Sequence, residues 1–364
     1  MSTQTSRRAF ISGLSRGVAC VSILPVAATR LMAQEKKLGF ALVGLGSLST
    51  NQIAPALQKT KLCRLAAIVT GTPAKEKIWA DKYKIPQKNI YNYDDFDRIA
   101  NNPDIDVVYV VLPNAMHGEF TIRAAKAGKH VLCEKPMEVS AEKCQAMIDA
   151  CKAAKVQLAI GYRCQFTPHH LEMMRLASQK TFGPVKLIEA SFGFRIGDPN
   201  QWRLKHSLAG GGALMDVGIY ALQASRYVAG EEPIEISATE TKSDSVKFKE
   251  VDESVVWSMR FPNGVIANCA TTYLVNGMNR VWAGAESGWF QLDPAYSYSG
   301  LKGRTSKAEL DLPQVDHFAT EMDDFADCIL SRRQSKVSGE EGLRDIKLTT
   351  AIYQSIREGK AITL

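Results

Sequence analysis

Between Leu38 and Tyr162 the chain alternates short apolar runs with amphipathic stretches, and this rhythm constrains its fold more than any other feature. Five apolar runs are separated by stretches with helical spacing, and they read LGFALVGLG, CRLAAIVTG, VVYVVLP, HVLCEKP and VQLAIGY. Uninterrupted apolar runs of this length are typical of strands that are covered on both faces. The pattern therefore predicts a parallel, doubly wound sheet with helices between its strands, including helices at 119–128 and 141–154.

The pattern changes after Tyr162, where longer alternating runs predict a second sheet of a different kind. These runs read VKLIEASFGFR, SVVWSMRF and GVIANCATTY, and the last two flank Pro262, Asn263 and Gly264. Because an Asn-Gly pair between alternating runs is typical of a hairpin, we expect a mostly antiparallel open sheet with helices on one face. The helices are predicted at 213–228, near 315–330 and at 340–358.

A glycine-rich turn follows the first apolar run. Gly44, Gly46 and Ser49 occupy the three key positions of the G-x-G-x-x-G pattern, with Ser47 and Leu48 between the last two. In this context the glycines let the backbone close on a pyrophosphate at a helix N-terminus, and a small residue at the third position still permits close helix packing. The turn therefore predicts a dinucleotide site, and the alternative is a tight turn that binds nothing.

The end of the second apolar run indicates which dinucleotide is bound. It reads Ile68-Val69-Thr70-Gly71, with Lys75 four residues later and no carboxylate between them. Sites that prefer NAD place an acidic residue here on the ribose 2′-hydroxyl. Since Lys75 would neutralise a 2′-phosphate, we expect NADP. The alternative is a solvated lysine in the first turn of a helix.

The first 33 residues predict export. Ser6-Arg7-Arg8-Ala9-Phe10-Ile11 matches the twin-arginine pattern, and a mildly apolar stretch over 17–28 follows it. That stretch is too short to span a bilayer. We therefore expect the twin-arginine export machinery as a partner, cleavage after Ala33, a periplasmic location and no stable membrane insertion. The alternative is a basic arm or a lipid-surface anchor.

Most of the basic charge lies in this segment. Its four arginines account for four of the seven net positive charges of the chain, and the remaining +3 is too small to indicate nucleic acid as a partner. The eight cysteines show no C-x-x-C or Cys/His spacing. We therefore expect no metal and no disulfide framework.

The expected fold class is α/β followed by α+β, in three segments. Residues 1–33 are the predicted signal. Residues 34–160 are predicted to form an NADP-binding Rossmann domain with a doubly wound parallel sheet. Residues 161–364 are predicted to form a mostly antiparallel open-sheet domain for substrate binding and oligomerisation, with a C-terminal helix that returns to the first domain.

Three side chains have the chemistry for oxidising an alcohol. Lys135, in CEKPM, ends a predicted parallel strand, and ligands of open α/β sheets bind beyond such ends. Asp216 and Tyr220, in GGGALMDVGIY, are four residues apart and so share one face of a predicted helix. An ammonium group nearby lowers the pKa of a tyrosine, which is about 10 in the free side chain.

We therefore expect Tyr220 to act as acid and base, and Lys135 to be its electrostatic partner and to bond the reacting oxygen. Asp216 is expected to orient Lys135 or the substrate. The alternative is a buried tyrosine with a satisfied hydroxyl and an aspartate on a helix face. Gly218, inside the same helix, predicts the close approach of a ligand or of another backbone.

Seven stretches give the chain a resemblance to a known family, from Gly39 to the C-terminus. They read GFALVGLG, VVLPNAMHGEF, AGKHVLCEKPM, IGYRCQF, QWRLKHSLAGGGALMDVGIY, GEEPIE and SGEEGLRDIKL. The chain resembles the glucose-fructose oxidoreductase group of the Gfo/Idh/MocA sugar dehydrogenase family, which also contains inositol dehydrogenases. Most members have histidine at the position of Tyr220. The tyrosine therefore makes this chain resemble the branch of the family that exchanges hydride between sugars.

The resemblance implies sugar substrates, a homodimer or homotetramer, and roles for further residues. Thr70, Gly71 and Lys75 would hold the adenosine 2′-phosphate. The implied cofactor lining is Leu112, Asn114 and His117, with Glu134 at its border. The residues implied to contact sugar or nicotinamide are Arg163, Trp202 and Arg203.

Export combined with a bound cofactor predicts a closed cycle. Outside the cytosol no soluble NADPH pool would renew the cofactor, so an enzyme there must restore it within each turnover. One aldose would be oxidised at C1 to its lactone, and a second sugar would be reduced to its alditol. Two alternatives remain open: an NAD-dependent glycoside hydrolase of related fold, and a non-catalytic, nucleotide-bound sugar sensor.

Overall fold

The first sheet has six strands, all parallel. The computed structural model describes residues 37–364, so the predicted signal over 1–33 lies outside the described residues. The strand order is β3-β2-β1-β4-β5-β6. The strands are β1 (Leu38–Val43), β2 (Cys63–Val69), β3 (Ile90–Tyr91), β4 (Val107–Val110), β5 (His130–Glu134) and β6 (Leu158–Gly161). Because the order reverses between β1 and β4, a crevice opens at the carboxyl ends of these two strands.

The helices between these strands confirm the predicted alternation. They are α1 (Ala54–Leu57), which follows a π-helical turn over Ser49–Ile53, α2 (Pro73–Tyr83), α3 (His117–Lys126) and α4 (Ala141–Ala153). Ser140 caps α4, since its side chain accepts a hydrogen bond from the Lys143 N–H. Gly128 ends the segment after α3 with a φ of 72°, a conformation that favours glycine.

The second sheet has nine strands in the order β14-β13-β12-β11-β7-β10-β9-β8-β15. The strands are β7 (Val185–Gly193), β8 (Glu235–Thr241), β9 (Ser254–Arg260), β10 (Ile266–Thr272), β11 (Asn279–Ala285), β12 (Gly288–Leu292), β13 (Gly303–Thr305), β14 (Glu309–Leu310) and β15 (Ile362–Thr363). Every pair is antiparallel except β7 with β10. The predicted hairpin joins β9 to β10, and Gly264 has a φ of 84° in its turn. The predicted fold class is therefore confirmed.

The remaining helices cover one face of the second sheet or return to the first. They are α5 (Pro168–Ser178), α6 (His206–Ala209), α7 (Ile219–Ala229), α8 (His317–Ser331) and α9 (Gly339–Glu358). Helix α7 packs on β7, β10 and β11, whereas α8 packs on α1 and β2. Helix α9 contacts α4 and β6 as well as β8. The described residues form one compact unit, and the domain boundary at residue 160 stays a prediction.

Two large hydrophobic cores lie against the two sheets, and Tyr220 packs against both. The first core is formed by β1–β6 and their helices together with residues of α8, and the second by α5, α7 and the nine-stranded sheet. Tyr220 therefore lies where the two cores meet. Within the described residues, no helix is both long and apolar enough to cross a membrane.

Candidate functional site

The glycine turn lies at the carboxyl end of β1. Gly44 has a φ of 89°, and a Cβ there would lie 2.2 Å from the Val111 carbonyl oxygen, so the backbone itself requires glycine. A Cβ on Gly46 would meet no protein atom within 4 Å. Packing therefore does not explain the second glycine, whereas the close approach of a pyrophosphate does.

The other residues of the turn fix its shape. Ser49 is fully buried, and its hydroxyl donates a 2.5 Å hydrogen bond to the Gly44 carbonyl. This bond accounts for serine at the third position of the motif. Ser47 is exposed and accepts a hydrogen bond from the Asn51 amide, while Leu48 packs partly against the first core.

The predicted 2′-phosphate residues lie beside this turn. The Lys75 ammonium donates a 2.8 Å hydrogen bond to the Leu45 carbonyl, which places a positive charge next to the glycines. Thr70 is buried, and its hydroxyl accepts a hydrogen bond from the Thr72 N–H. A Cβ on Gly71 would lie 2.7 Å from the Tyr93 ring. The structure thus places the Lys75 ammonium between the carboxyl ends of β1 and β2. The segment from 70 to 75 contains no carboxylate.

The loop after β4 is tied to the loop after β5 and to the end of α6. His117 is fully buried, and its two ring nitrogens lie 2.9 Å from the carbonyl oxygens of Pro136 and Leu112. Burial lowers the pKa of His117. The Asn114 amide donates a 2.8 Å hydrogen bond to the Ala209 carbonyl at the end of α6. These residues fix the wall of the crevice, and their predicted contacts with a cofactor stay predictions.

Lys135, Asp216 and Tyr220 meet at the carboxyl end of β5. The Lys135 ammonium lies 3.6 Å from the Asp216 carboxylate and donates a 2.8 Å hydrogen bond to the Asp216 main-chain carbonyl. The same ammonium lies 4.8 Å from the centre of the Tyr220 ring. One cation thus contacts both of the other residues, although they come from a segment about eighty residues away.

Asp216 is held by Arg203, which the resemblance implied as a contact of sugar or nicotinamide, and by Tyr273, which the sequence did not indicate. Arg203 and the Tyr273 hydroxyl donate hydrogen bonds of 3.0 and 2.9 Å to one oxygen of its carboxylate. Burial alone would raise the pKa of Asp216, but Arg203, Lys135 and the Tyr273 hydroxyl together lower it. The Arg203 guanidinium also stacks 4.6 Å from the centre of the Trp202 ring. Asp216 is therefore a fixed anion between two cations.

The environment of Tyr220 corrects one prediction. Its hydroxyl is bonded by Arg163, whose Nε donates a 3.2 Å hydrogen bond, and not by Lys135, which faces the ring. Burial raises the pKa of Tyr220, and Arg163 is the main influence that lowers it again. The expectation that a lysine ammonium brings the pKa of this tyrosine below its usual value is therefore wrong for this arrangement. Burial destabilises the charged phenolate form more than a cation at the face of the ring stabilises it, so the pKa rises.

Glu134 lies behind this cluster and belongs to a buried acidic pair. Its carboxylate accepts a 2.8 Å hydrogen bond from the Tyr109 hydroxyl, and burial raises its pKa while Lys135 lowers it. Glu321, on α8, is 1% exposed, and among residues 37–364 neither of its carboxylate oxygens has a hydrogen-bond partner. Burial raises the pKa of Glu321 well above its usual range, and Glu134 adds to that rise. The sequence did not single out Glu321.

The glycines before α7 serve packing. A Cβ on Gly218 would lie 3.0 Å from the side chains of Leu214 and Thr271. The close approach predicted there is thus to side chains, and neither to a ligand nor to another backbone. Gly212 is equally confined, since a Cβ would lie 1.9 Å from the Asp252 carbonyl oxygen. These glycines let the helix that carries Asp216 and Tyr220 sit close to the sheet.

Known proteins share this architecture. The chain is 44% identical to an aldose-aldose oxidoreductase from Caulobacter crescentus, whose crystal structure holds glycerol; the match covers 90% of this chain and 100% of that one, with a TM-score of 0.88. It is 29% identical over 343 residues to an NADP(+) D-xylose 1-dehydrogenase of Haloarcula marismortui, covering 91% of this chain and 94% of that protein. It is 27% identical over 335 residues to an NADP(+) D-xylose 1-dehydrogenase of Haloferax volcanii, and this match covers 89% of this chain and 99% of that protein.

The two halves of the chain match two parts of one family. Residues 38–162 match the oxidoreductase family with an NAD-binding Rossmann fold, and residues 170–291 match the GFO/IDH/MocA C-terminal domain. The predicted resemblance is confirmed. With the glycine turn, the crevice and the Lys135 cluster in place, the chain belongs to the GFO/IDH/MocA oxidoreductase family.

Proposed function

We propose that this chain is an NADP-dependent sugar oxidoreductase that oxidises one aldose at C1 to its lactone and reduces a second sugar to its alditol. The observation that carries the proposal is the meeting of Lys135, Asp216 and Tyr220 at the mouth of a nucleotide crevice. It is supported by 44% identity to an aldose-aldose oxidoreductase over 90% of the chain. Both D-xylose dehydrogenases cited above also oxidise a sugar by name.

The described residues fit NADP. The open space at Gly46 would receive the pyrophosphate, and Lys75 would meet the 2′-phosphate beside the same turn. No carboxylate between 70 and 75 would repel that phosphate. When bound, NADP supplies the nicotinamide that accepts a hydride from one sugar and returns it to the next.

The side chains of the cluster divide the remaining work. Tyr220 takes the proton of the C1 hydroxyl during oxidation and gives it back to the carbonyl oxygen of the second sugar. Lys135 donates a hydrogen bond to the same sugar oxygen. Asp216, held by Arg203 and Tyr273, keeps the Lys135 ammonium at its place. The aromatic rings of Phe192 and Tyr296 pack against Tyr220 and exclude water from its inner side.

The closed cycle fits the proposed location. A protein carried through the twin-arginine route would take its cofactor with it, and a second sugar would then restore NADP without an external pool. Replacement of Arg7 and Arg8 by lysine is expected to keep the protein in the cytoplasm, as measured by cell fractionation. Periplasmic protein in that variant would contradict the proposed route.

The test begins with the purified protein and its bound nucleotide. Single aldoses are added, and the absorbance band of reduced nicotinamide is followed; a second sugar is then added, and the band should disappear as alditol forms. Tyr220→Phe is expected to slow this exchange about 10²–10⁴-fold, because it removes the acid and base. Tyr227→Phe removes a hydroxyl from the same helix, bonded to Glu341, and should leave the rate unchanged.

Three results would contradict the proposal. The first is the absence of any band with every aldose tested. The second is lactone formation that requires a fresh equivalent of NADP for each turnover, which would leave a plain dehydrogenase. The third is a Tyr220→Phe variant as fast as Tyr227→Phe.

A further inference from the structure

Arg163 is a buried cation without a close carboxylate partner in the part of the chain that the structure describes. Its residue is 2% exposed, and among residues 37–364 no carboxylate oxygen lies within 4.0 Å of its guanidinium nitrogens. Arg226 is equally buried, yet it is paired with the carboxylates of Glu232, Glu341 and Asp345. The carboxylates of Glu134 and Glu321 interact with Arg163 only from beyond ion-pair distance. Because a buried charge without a close partner is costly, the position of the Arg163 guanidinium calls for an explanation that the closely paired Arg226 does not.

The structure holds this guanidinium in one orientation. Its Nη2 donates a 2.6 Å hydrogen bond to the Tyr296 carbonyl, and its Nη1 donates a 3.0 Å hydrogen bond to His317 Nδ1. Its central carbon lies 4.7 Å from the ring centre of Tyr298, so the plane of the group is fixed as well. The third nitrogen, Nε, donates a 3.2 Å hydrogen bond to the Tyr220 hydroxyl. These contacts fix the guanidinium so that its Nε–H is directed at the Tyr220 oxygen, which exchanges the proton.

Lys135 does not offer this contact. Its ammonium lies over the face of the Tyr220 ring and donates its hydrogen bond to the Asp216 carbonyl. The charge at the Tyr220 oxygen therefore comes from Arg163, and Lys135 is left to face the sugar.

We propose that Arg163 is a positioning residue that holds the Tyr220 hydroxyl and stabilises its phenolate while the sugar is oxidised, an inference that rests on the proposed function. In that step the phenolate oxygen takes the proton of the C1 hydroxyl, and C1 loses a hydride to the NADP of the proposed function. The O–H and C1–H bonds break, the lactone C=O bond forms, and the phenolate becomes a phenol. Reduction of the second sugar reverses the proton transfer. Arg163 stays charged throughout and makes no bond to the sugar.

The surroundings of Tyr220 support this role. Burial raises its pKa, and Arg163 opposes that rise both by its charge and by its hydrogen bond. The titratable and charged groups around Tyr220 are Glu134, Lys135, Arg163, Cys164, Tyr296 and Tyr298. Asp216 and His317 lie one contact further away, against Lys135 and Arg163. Of all these groups, Arg163 is the one that donates a hydrogen bond to the Tyr220 oxygen within the described residues.

The experiment compares the pH dependence of one half-reaction in Arg163→Gln, Arg163→Lys and the wild type, each with its bound nucleotide. The rate at which an aldose produces the reduced-nicotinamide band is measured across a range of pH. Loss of the guanidinium should move the midpoint of the rising limb upward by about one to two pH units, because the phenolate loses its cation. At neutral pH the rate should then fall about 10–100-fold.

Two controls separate this role from a structural one. The thermal midpoint and the amount of bound nucleotide show whether each variant is folded. In a Tyr220→Phe background, Arg163→Gln should cause little further loss of rate, since both residues act through one hydroxyl. Arg163→Lys should move the midpoint in the same direction but by less, because lysine keeps the charge without the fork.

A pH midpoint that stays in place in a folded, active Arg163→Gln variant would overturn the inference and leave the proposed function standing. If that variant does not fold, an unmoved midpoint in Arg163→Lys has the same meaning. Wild-type protein that produces no reduced nicotinamide with any aldose would contradict the proposed function and this inference together.

Discussion

The nucleotide turn and the Lys135 cluster lie at the same edge of one sheet, yet they are built by different means. Residues 44–49 are contiguous, and they make their site from backbone, with Gly44 confined by the Val111 carbonyl and Gly46 facing open space. The cluster is made of charged side chains from three separate segments of the chain, Lys135, Arg163 and Asp216, around the Tyr220 ring. Ligand binding at the nucleotide turn depends on the open space beside Gly46, whereas the chemistry of the cluster depends on the balance of its charges.

The largest effect should come from the nucleotide turn, where two glycines separated by one residue have opposite roles. Gly44→Ala should lower the free energy of unfolding by about 2–4 kcal/mol in the nucleotide-free protein, because the new Cβ meets the Val111 oxygen in a strained backbone. Gly46→Ala should leave that stability within about 0.5 kcal/mol and weaken NADP binding about tenfold. Urea unfolding and nucleotide titration measure the two quantities.

Equal destabilisation by both substitutions would show that the space at Gly46 is not reserved for a ligand. Unchanged NADP binding in Gly46→Ala would lead to the same conclusion.

A second test addresses the charges around Arg163. Burial lowers the pKa of His317 to about 4, and the charge of Arg163 adds to this. The unfolded side chain has a pKa of about 6.5, so between these values the unfolded chain binds a proton that the folded chain does not. The contribution of His317 to stability is therefore present above about pH 6.5, and about 2–3 kcal/mol of it is lost as the pH falls to about 4.

His317→Gln isolates this contribution. Glutamine can still accept the hydrogen bond from Arg163, but it binds no proton in this range. Its free energy of unfolding should fall less steeply between about pH 7 and about pH 4 than that of the wild type. The other buried histidines are present in both proteins, so parallel curves would contradict the prediction.

The smallest effect should come from Lys75, whose ammonium lies beside the nucleotide turn. Lys75→Ala should weaken NADP about tenfold and leave NAD unchanged, since the lysine would meet only the 2′-phosphate. Added salt should reduce the difference. Lys77→Ala is the matched control, because this lysine is on the same helix and pairs with the exposed Asp81. A similar loss for NAD would place Lys75 on the pyrophosphate instead.

The contrast between the regions also explains what the sequence could predict. The alternation of apolar runs predicted both sheets, and Ser140 and Gly264 marked a helix start and a hairpin, because these features depend on neighbouring residues. The glycine turn was found for the same reason. The π-helical turns before α1 and α7 were not found, since tertiary packing sets them.

The sequence predicted which residues form the cluster, but it did not predict which of them contact each other. Lys135, Asp216 and Tyr220 do come together, but the partner of the Tyr220 hydroxyl is 57 positions away, and its direction is set by the Tyr296 carbonyl. A sequence does not show the orientation that tertiary contacts will give to a guanidinium group. The resemblance implied that Arg163 contacts sugar or nicotinamide, and the sequence places this arginine directly after the apolar run VQLAIGY, but neither signal indicated Tyr220 as its partner.

The edge of the six-stranded sheet is completed by the far end of the chain. The Ile160 N–H donates to the Val337 carbonyl, Ala159 pairs with Ser338, and α9 then packs on α4 and β6. A ribosome must therefore release almost the whole polypeptide before the half that binds the nucleotide can close its last edge. The finished six-stranded sheet is therefore a property of the nearly full-length chain, and a fragment that ends before residue 337 would leave β6 without this cover.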